Sequence, residues 1–254
     1  QARLPDRRAQ AAAETSGNPG GLFHGIVNPQ DGAHARFNRS AALHAAEAIR
    51  GALARGDVAG SVDGLLRLET SGADASAMRR TLARLALPAE YVQALSADEA
   101  THAAGLRLQH PAWFSPAGGG VQPAASARPL VACGAGHIDW RGNTDVAALR
   151  RGERGWQLLA ADGSLIDECE AVVLANAGDA LRLLGHPAWP ITTLRGQISM
   201  ADVSPSLRTA MPVAGSGYLL PPHAGRAVFG ATSQADDADA SVRAAAHAAN
   251  LAQL

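Results

Sequence analysis

The chain has 254 residues, 47% of them hydrophobic and 18% charged, with a formal net charge of −1. This describes a globular chain of one large or two modest domains with a core of its own, and excludes a disordered tail. All 22 basic residues are Arg, set against 23 acidic ones, so composition predicts no broad basic face that would grip nucleic acid through many phosphates.

Two cysteines, Cys133 and Cys169, lack any C-x-x-C or histidine at ligand spacing, which predicts neither a metal site nor a disulfide framework. There is no apolar run of about 18 residues and no signal core in Gln1-Ala2-Arg3-Leu4-Pro5, so a cytoplasmic chain without a membrane span is expected. A first residue of Gln suggests a piece of something longer.

In chain order, Arg3, Arg7 and Arg8 read as a solvated basic cluster, and residues 15–29 as a loop rich in Gly and Asn. Residues 33–55 place Phe37, Leu43, Ala46, Ile49 and Leu53 at helical spacing, which predicts a helix buried on that face. A strand over 61–69 follows. Helices are expected over 75–86, with Met78, Leu82 and Leu85 inward, and over 97–104. Residues 116–123 read as a glycine turn leading into an Ala-rich helix. Strands are expected over 144–149, 155–160 and 170–175, the last two joined through Asp162-Gly163. The third is continuously apolar, as in a parallel strand buried on both faces. Residues 192–200, 217–221 and 226–232 suit an antiparallel sheet, and 241–254 a closing helix.

Two segments carry the chemical signal. In Thr15-Ser16-Gly17-Asn18-Pro19-Gly20-Gly21-Leu22-Phe23-His24, small residues allow backbone N–H groups and a hydroxyl to face a phosphate or a flat ring, although an exposed turn has the same composition. Val172-Val173-Leu174-Ala175-Asn176-Ala177-Gly178 ends an apolar run in small residues, where open α/β sheets leave room for ligands. No complete G-x-G-x-x-G occurs; Gly134-Ala135-Gly136-His137-Ile138-Asp139 ends in Asp.

In order, these segments resemble the FAD-dependent oxidoreductases related to D-amino acid oxidase, glycine oxidase and sarcosine oxidase. Within that group they are most similar to the oxidoreductase domains of bifunctional tRNA-modifying enzymes. Supporting stretches are His34-Ala35-Arg36-Phe37, Gly118-Gly119-Gly120-Val121-Gln122-Pro123, Leu194-Arg195-Gly196-Gln197-Ile198-Ser199, Gly217-Tyr218-Leu219-Leu220-Pro221, Phe229-Gly230-Ala231-Thr232 and the terminal 247–254. The family opens with a strand and a G-x-G-x-x-G loop, neither of which this sequence contains. Gly25 stands where many relatives carry Pro.

The resemblance implies an α/β fold of the FAD/NAD(P)-binding-like, D-amino acid oxidase type, with an antiparallel-sheet substrate region and without the N-terminal dinucleotide-binding unit. Residues 1–60 and 118–189 would be FAD-binding regions, and 61–117 and 190–254 substrate regions. FAD would lie against Ser16, Gly17, Asn18, Gly20, Gly21, Leu22, Val146, Ala175, Ala177 and Gly178. Substrate would meet Arg195, Gln197, Tyr218 and Ser233, with His24 as proton acceptor; a clamping Arg and a Tyr suit a carboxylate. The implied reaction oxidises the carboxymethylaminomethyl group of a tRNA wobble uridine and releases glyoxylate, in a polypeptide that also carries a methyltransferase domain. A glycine- or sarcosine-type oxidase of the same fold and an inactive fragment stay open as alternatives.

Overall fold

The computed structural model describes residues 2–134, 136–203 and 208–254; Ala135, within the incomplete glycine motif, and the Cys133 side chain lie outside the description. Contacts divide the chain into two units. The smaller comprises Gln1–Ser16, Ala127–Arg195 and Gln234–Ala240, the larger Gly17–Ser126, Gly196–Ser233 and Ser241–Leu254.

In the smaller unit, Ala2–Pro5 runs parallel to Ile138–Arg141. A three-stranded antiparallel sheet is ordered Leu165–Cys169, Trp156–Leu159, Ala148–Arg151. The Asp162-Gly163 turn forms, with Gly163 at φ +83 and its N–H donating to Ala160 O at 3.0 Å. The hairpin it closes corrects the expected pairing. So tight a turn brings the chain back at once, and the returning strand is Leu165–Cys169, with Cys169 opposite Trp156. The apolar run 171–175 falls beyond it and joins no strand, and Val173 is 90% exposed. A strand hidden on both faces needs a ladder on either side, and none of the described residues supplies one. The strand expected over 144–149 begins only at Ala148, because the Arg182 guanidinium takes the Val146 and Ala147 carbonyls.

The larger unit holds a seven-stranded sheet, ordered Ile198–Asp202, Arg226–Gly230, Tyr218–Leu219, Val213–Ala214, Leu65–Leu68, Ala112–Ser115, Gln93–Leu95. All its pairs are antiparallel except Val213–Ala214 beside Leu65–Leu68. One face carries the core, where Leu66, Ala112 and Val213 pack with Ala100 and Ala104, and Leu219 with Ala227 and Phe229. The expected glycine turn over 116–123 is in part a strand. Gly119–Val121 sits between Gly21–Phe23 and Gly60–Ser61, and a Cβ on Gly119 would collide with the Ser61 carbonyl.

Helix Ala33–Ala54 buries Ala35 and Ala46; of the predicted face, Ala46, Ile49 and Leu53 are buried or half-buried, whereas Phe37 is 76% exposed and Leu43 49%. Its buried stripe continues through half-buried Asn38, Ala42 and Ile49 at helical spacing, and Phe37 lies off it. Helix Ala75–Leu85 buries Met78 and is capped by Asp74, whose side chain accepts from the Ala77 N–H. The closing helix is shorter than expected, Ala244–Leu251. Among the described residues no helix is long and apolar enough to cross a membrane.

Candidate functional site

In the smaller unit a cleft of about 560 Å³ opens beyond the end of Ala2–Pro5. Its walls include Asp6, Thr15 and Ser16 from the first segment, Thr144 to Val146 from the second, and Val172 to Ala177 from the third. The structure thus brings together Ser16, Val146, Ala175 and Ala177, four of the residues expected at the cofactor. Gly178 does not line the cleft; it follows Ala177 in a short 3-10 turn, near Thr193.

Sequence reasoning missed the polar groups of this cleft. Asp6 ends a parallel strand, where an acidic residue characteristically takes a nucleotide ribose, and its Oδ1 accepts the Arg8 N–H at 2.7 Å. An acid straight after a β-type run at the amino end was the available signal. Asn176 is a second omission: its Oδ1 is buried with no hydrogen-bond partner among the described residues. Arg182 donates to Ala147 O at 2.7 Å, to Val146 O at 3.1 Å and to Asp179, which also takes Arg7 at 2.9 Å. Hydrogen bonds from Arg182 first, then its charge and that of Arg7, pull the Asp179 carboxyl down to about 2.

In the larger unit, Gly21 and Leu22 pair with Val121 and Gly120, so the first glycine motif and the three-glycine motif are neighbouring strands. The small residues serve packing here: a Cβ on Gly20 would collide with Leu220, and one on Gly21 would crowd Pro123 at 3.3 Å. Gly20 and Gly120 also line a largely apolar cavity of about 410 Å³, with Met200, Leu220, Pro221 and Val228.

His24 follows directly. Its Nδ1 lies 2.6 Å from the Gly25 carbonyl. A carbonyl only accepts, so Nδ1 carries the proton and Nε2 keeps its lone pair. Burial holds the imidazole pKa below its ordinary value, with the positive charge of Arg67 acting in the same direction and the Gly25 carbonyl against it. Tyr218, on the seven-stranded sheet, has its phenol pushed up by burial and is therefore a hydrogen-bond donor at neutral pH.

Arg195 and Gln197, also expected at the substrate, are occupied. Arg195 is 9% exposed and donates to Asp239 O at 2.6 Å and Gln234 Oε1 at 2.9 Å, bracing the antiparallel pair of Leu194–Arg195 with Gln234–Ala235. The Gln197 side chain donates to Arg243 O at 2.9 Å and accepts the Arg243 N–H at 2.8 Å, tying down the segment before the closing helix. Ser233 is exposed. Gly17 ends a short 3-10 turn that begins at Thr15, and Asn18 is half-buried.

The smaller unit carries a nucleotide-sized cleft with an acid after a strand end and an orphaned amide oxygen, and the larger unit, taken by itself, carries a neutral imidazole and a half-buried phenol. Residues 4–254 match the family described as DAO, FAD dependent oxidoreductase, and the chain belongs to that family.

Among particular relatives, it is 43% identical over 263 residues to the tRNA 5-methylaminomethyl-2-thiouridine biosynthesis bifunctional protein MnmC of Methylibium petroleiphilum, an alignment covering 100% of this chain and 40% of that protein. The protein of the same name from Burkholderia thailandensis is 35% identical over 253 residues, covering 99% of this chain and 39% of its own length. The chain therefore spans about two fifths of these relatives. The fold is shared with glycine oxidase from Geobacillus kaustophilus, at a TM-score of 0.73 and 22% identity over 99% of this chain and 70% of that one. It is likewise shared with L-proline dehydrogenase from P. horikoshii, at 0.77 and 14% over the same shares.

The residues present fit the family's cofactor. The cleft lies within the range of ligand pockets, and Asn176 Oδ1 is a buried acceptor awaiting a donor. The expected roles of Ser16, Gly17, Asn18, Gly20, Gly21, Leu22, Val146, Ala175, Ala177 and Gly178 enter the proposal below.

Proposed function

We propose that this chain is the FAD-dependent oxidoreductase portion of a tRNA-modifying enzyme, acting on the carboxymethylaminomethyl side chain of a wobble uridine and releasing glyoxylate. The observation that carries the reading is 43% identity along the whole chain to a protein named for 5-methylaminomethyl-2-thiouridine biosynthesis. In this reading the polypeptide also contains a methyltransferase domain, and it works in the cytoplasm, where tRNA is modified.

Asp6 would hold the ribose of the cofactor's adenosine, Asn176 Oδ1 would accept from it, and the backbone at Val146 would meet the adenine, with Ser16, Gly17 and Asn18 toward the phosphate and ribityl chain. Ala175, Ala177 and Gly178 would form the floor, and Gly20, Gly21 and Leu22 would offer backbone to the ring. When bound, FAD accepts a hydride from the carbon between the substrate's nitrogen and carboxylate.

The chain's own share is positioning and proton handling. His24, neutral and with Nε2 free to accept, takes the proton of the substrate amine so that its lone pair is available as hydride leaves. Tyr218 donates its phenolic hydrogen bond to the substrate without bringing a competing charge.

The test is to load the full-length polypeptide with FAD and add tRNA bearing the carboxymethylaminomethyl group. Bleaching of the flavin with stoichiometric glyoxylate is expected, and glycine or sarcosine should leave the flavin oxidised. Bleaching by the free amino acids but not by tRNA would instead identify a small amino acid oxidase, and a protein that takes up no flavin would identify an inactive one.

A further inference from the structure

A histidine accepts a proton only through the ring nitrogen that carries none, so its tautomer matters as much as its charge. Burial and the charge of Arg67 keep the His24 ring neutral. Neither decides which nitrogen holds the remaining proton. That choice falls to the hydrogen bond from Nδ1 to the Gly25 carbonyl, 2.6 Å away. Without such a bond a neutral histidine ring favours the proton on Nε2, which would close the nitrogen that the proposed reaction uses.

The acceptor belongs to a glycine, the residue that restrains its own backbone least, so the carbonyl has to be held from outside. Tyr91 supplies the restraint. Its ring lies so close against Gly25 that a Cβ there would stand 2.6 Å from Cζ and 2.8 Å from Cε2. Its hydroxyl donates to the next carbonyl, Ile26 O, at 3.3 Å. The phenol is itself fixed, being buried, with the Tyr91 N–H donating to Pro88 O at 3.0 Å just before the edge strand Gln93–Leu95. The Arg39 guanidinium, on helix Ala33–Ala54, lies 5.8 Å from the ring centre, and Asp31 at the far end of the loop accepts from Arg39 at 2.8 Å. The loop that follows His24 is thus braced against the sheet edge on one side and the next helix on the other, all within the larger unit.

We infer that Tyr91 is a positioning residue for His24: by fixing the Gly25 carbonyl it keeps the ring proton on Nδ1 and leaves Nε2 open to the substrate amine. The inference rests on the proposed function and deepens it. The proton leaving the amine nitrogen lands on Nε2, and the imidazolium so formed keeps its Nδ1–H bond to Gly25 O, now strengthened by charge. Tyr91 acts on this step only through the backbone, since its own hydrogen bond goes to Ile26 O and not to the imidazole.

The experiment compares wild type, Y91F, Y91L and the surface control R84Q in the flavin-loaded full-length polypeptide, labelled with the heavy nitrogen isotope in histidine only. The His24 signals are assigned by their loss in H24Q. In wild type at neutral pH, Nδ1 is expected at the shift of a protonated nitrogen and Nε2 at that of an unprotonated one. Y91L removes the ring and the hydroxyl and should move the proton to Nε2. Y91F keeps the ring against Gly25 but loses the bond to Ile26, and should give a mixture. Flavin reduction by saturating tRNA bearing the carboxymethylaminomethyl group should slow about tenfold in Y91L and less in Y91F, with KM unchanged. R84Q should match wild type in both measurements.

A His24 tautomer that is the same in wild type and both Tyr91 variants overturns the inference, as does a wild type with its proton on Nε2. If Y91L does not fold, Y91F decides alone: movement toward the Nε2–H form supports the inference and its absence overturns it. A tautomer that moves with Tyr91, in a protein whose H24Q variant reduces flavin as fast as wild type, keeps the link between Tyr91 and His24 and removes His24 from the proposed reaction.

Discussion

Gly25 shows how one atom decides a residue. A Cβ there would stand 2.6 Å from Cζ and 2.8 Å from Cε2 of Tyr91, and closer still to its hydroxyl. The ring cannot step aside: it is 8% exposed, donates to Ile26 O at 3.3 Å and lies under Arg39, itself held by Asp31 at 2.8 Å. Gly25→Ala should therefore cost about 1–3 kcal/mol of stability through overpacking. In a Tyr91→Ala background the same change should be nearly neutral, because the atoms it strikes are gone. A double-mutant cycle on urea midpoints reads this as strong coupling; additive losses would contradict it. Residues of this kind mark the limit of sequence reading. Glycine was visible at 25, but its partner stands 66 positions along the chain. Arg195 and Gln197 were misplaced for the same reason, since the groups that occupy them lie 39 and 46 residues away.

Elements specified by local spacing were the legible ones. Helix Ala75–Leu85 was expected over 75–86 and helix Ala97–Ala104 over 97–104, because caps and a period of 3.6 lie within the segment itself. The second has a complete capping box: Ser96 Oγ accepts the Glu99 N–H at 3.2 Å, and Glu99 Oε2 accepts the Ser96 N–H at 2.7 Å. Ser96→Ala should cost about 1 kcal/mol and lower the thermal midpoint. Ser96→Asp, which keeps an acceptor at the cap, should restore most of it, and failure to do so would mean the serine acts through something other than the cap. The segment 171–175 reads the other way. Its apolar composition announces a buried strand, but a strand is defined by its neighbours, and no residue inside the segment reports their absence. The face of helix Ala33–Ala54 was legible at Ala46, Ile49 and Leu53 and misplaced at Phe37 and Leu43, because the rest of its buried stripe is Ala35, Asn38 and Ala42, which a search for large apolar side chains passes over.

At the scale of the whole chain there are two units. One holds a nucleotide-sized cleft, and the other holds His24 after the strand Gly21–Phe23 and Tyr218 on the seven-stranded sheet. The ordered motifs made the family legible, yet the polar groups that tie the cleft together went unseen because they come from three separate segments. Asp179 is their junction, taking Arg7 from the first segment and Arg182 from its own, while Arg182 in turn holds Val146 O and Ala147 O. The folded carboxyl titrates near 2, against 3.8 ordinarily. Across the window between those values the unfolded chain binds more protons, so the contribution of Asp179 is complete above about pH 4 and is lost as pH falls through about 2. Because the pair is partly solvent-screened, that contribution is on the order of 1 kcal/mol. Asp179→Asn should therefore be less stable than wild type by that amount at pH 7, with the two converging as the pH is lowered to 2. Denaturant melts at stepped pH measure the gap. A gap that persists unchanged at pH 2 would mean the loss comes from packing of the side chain and not from its charge.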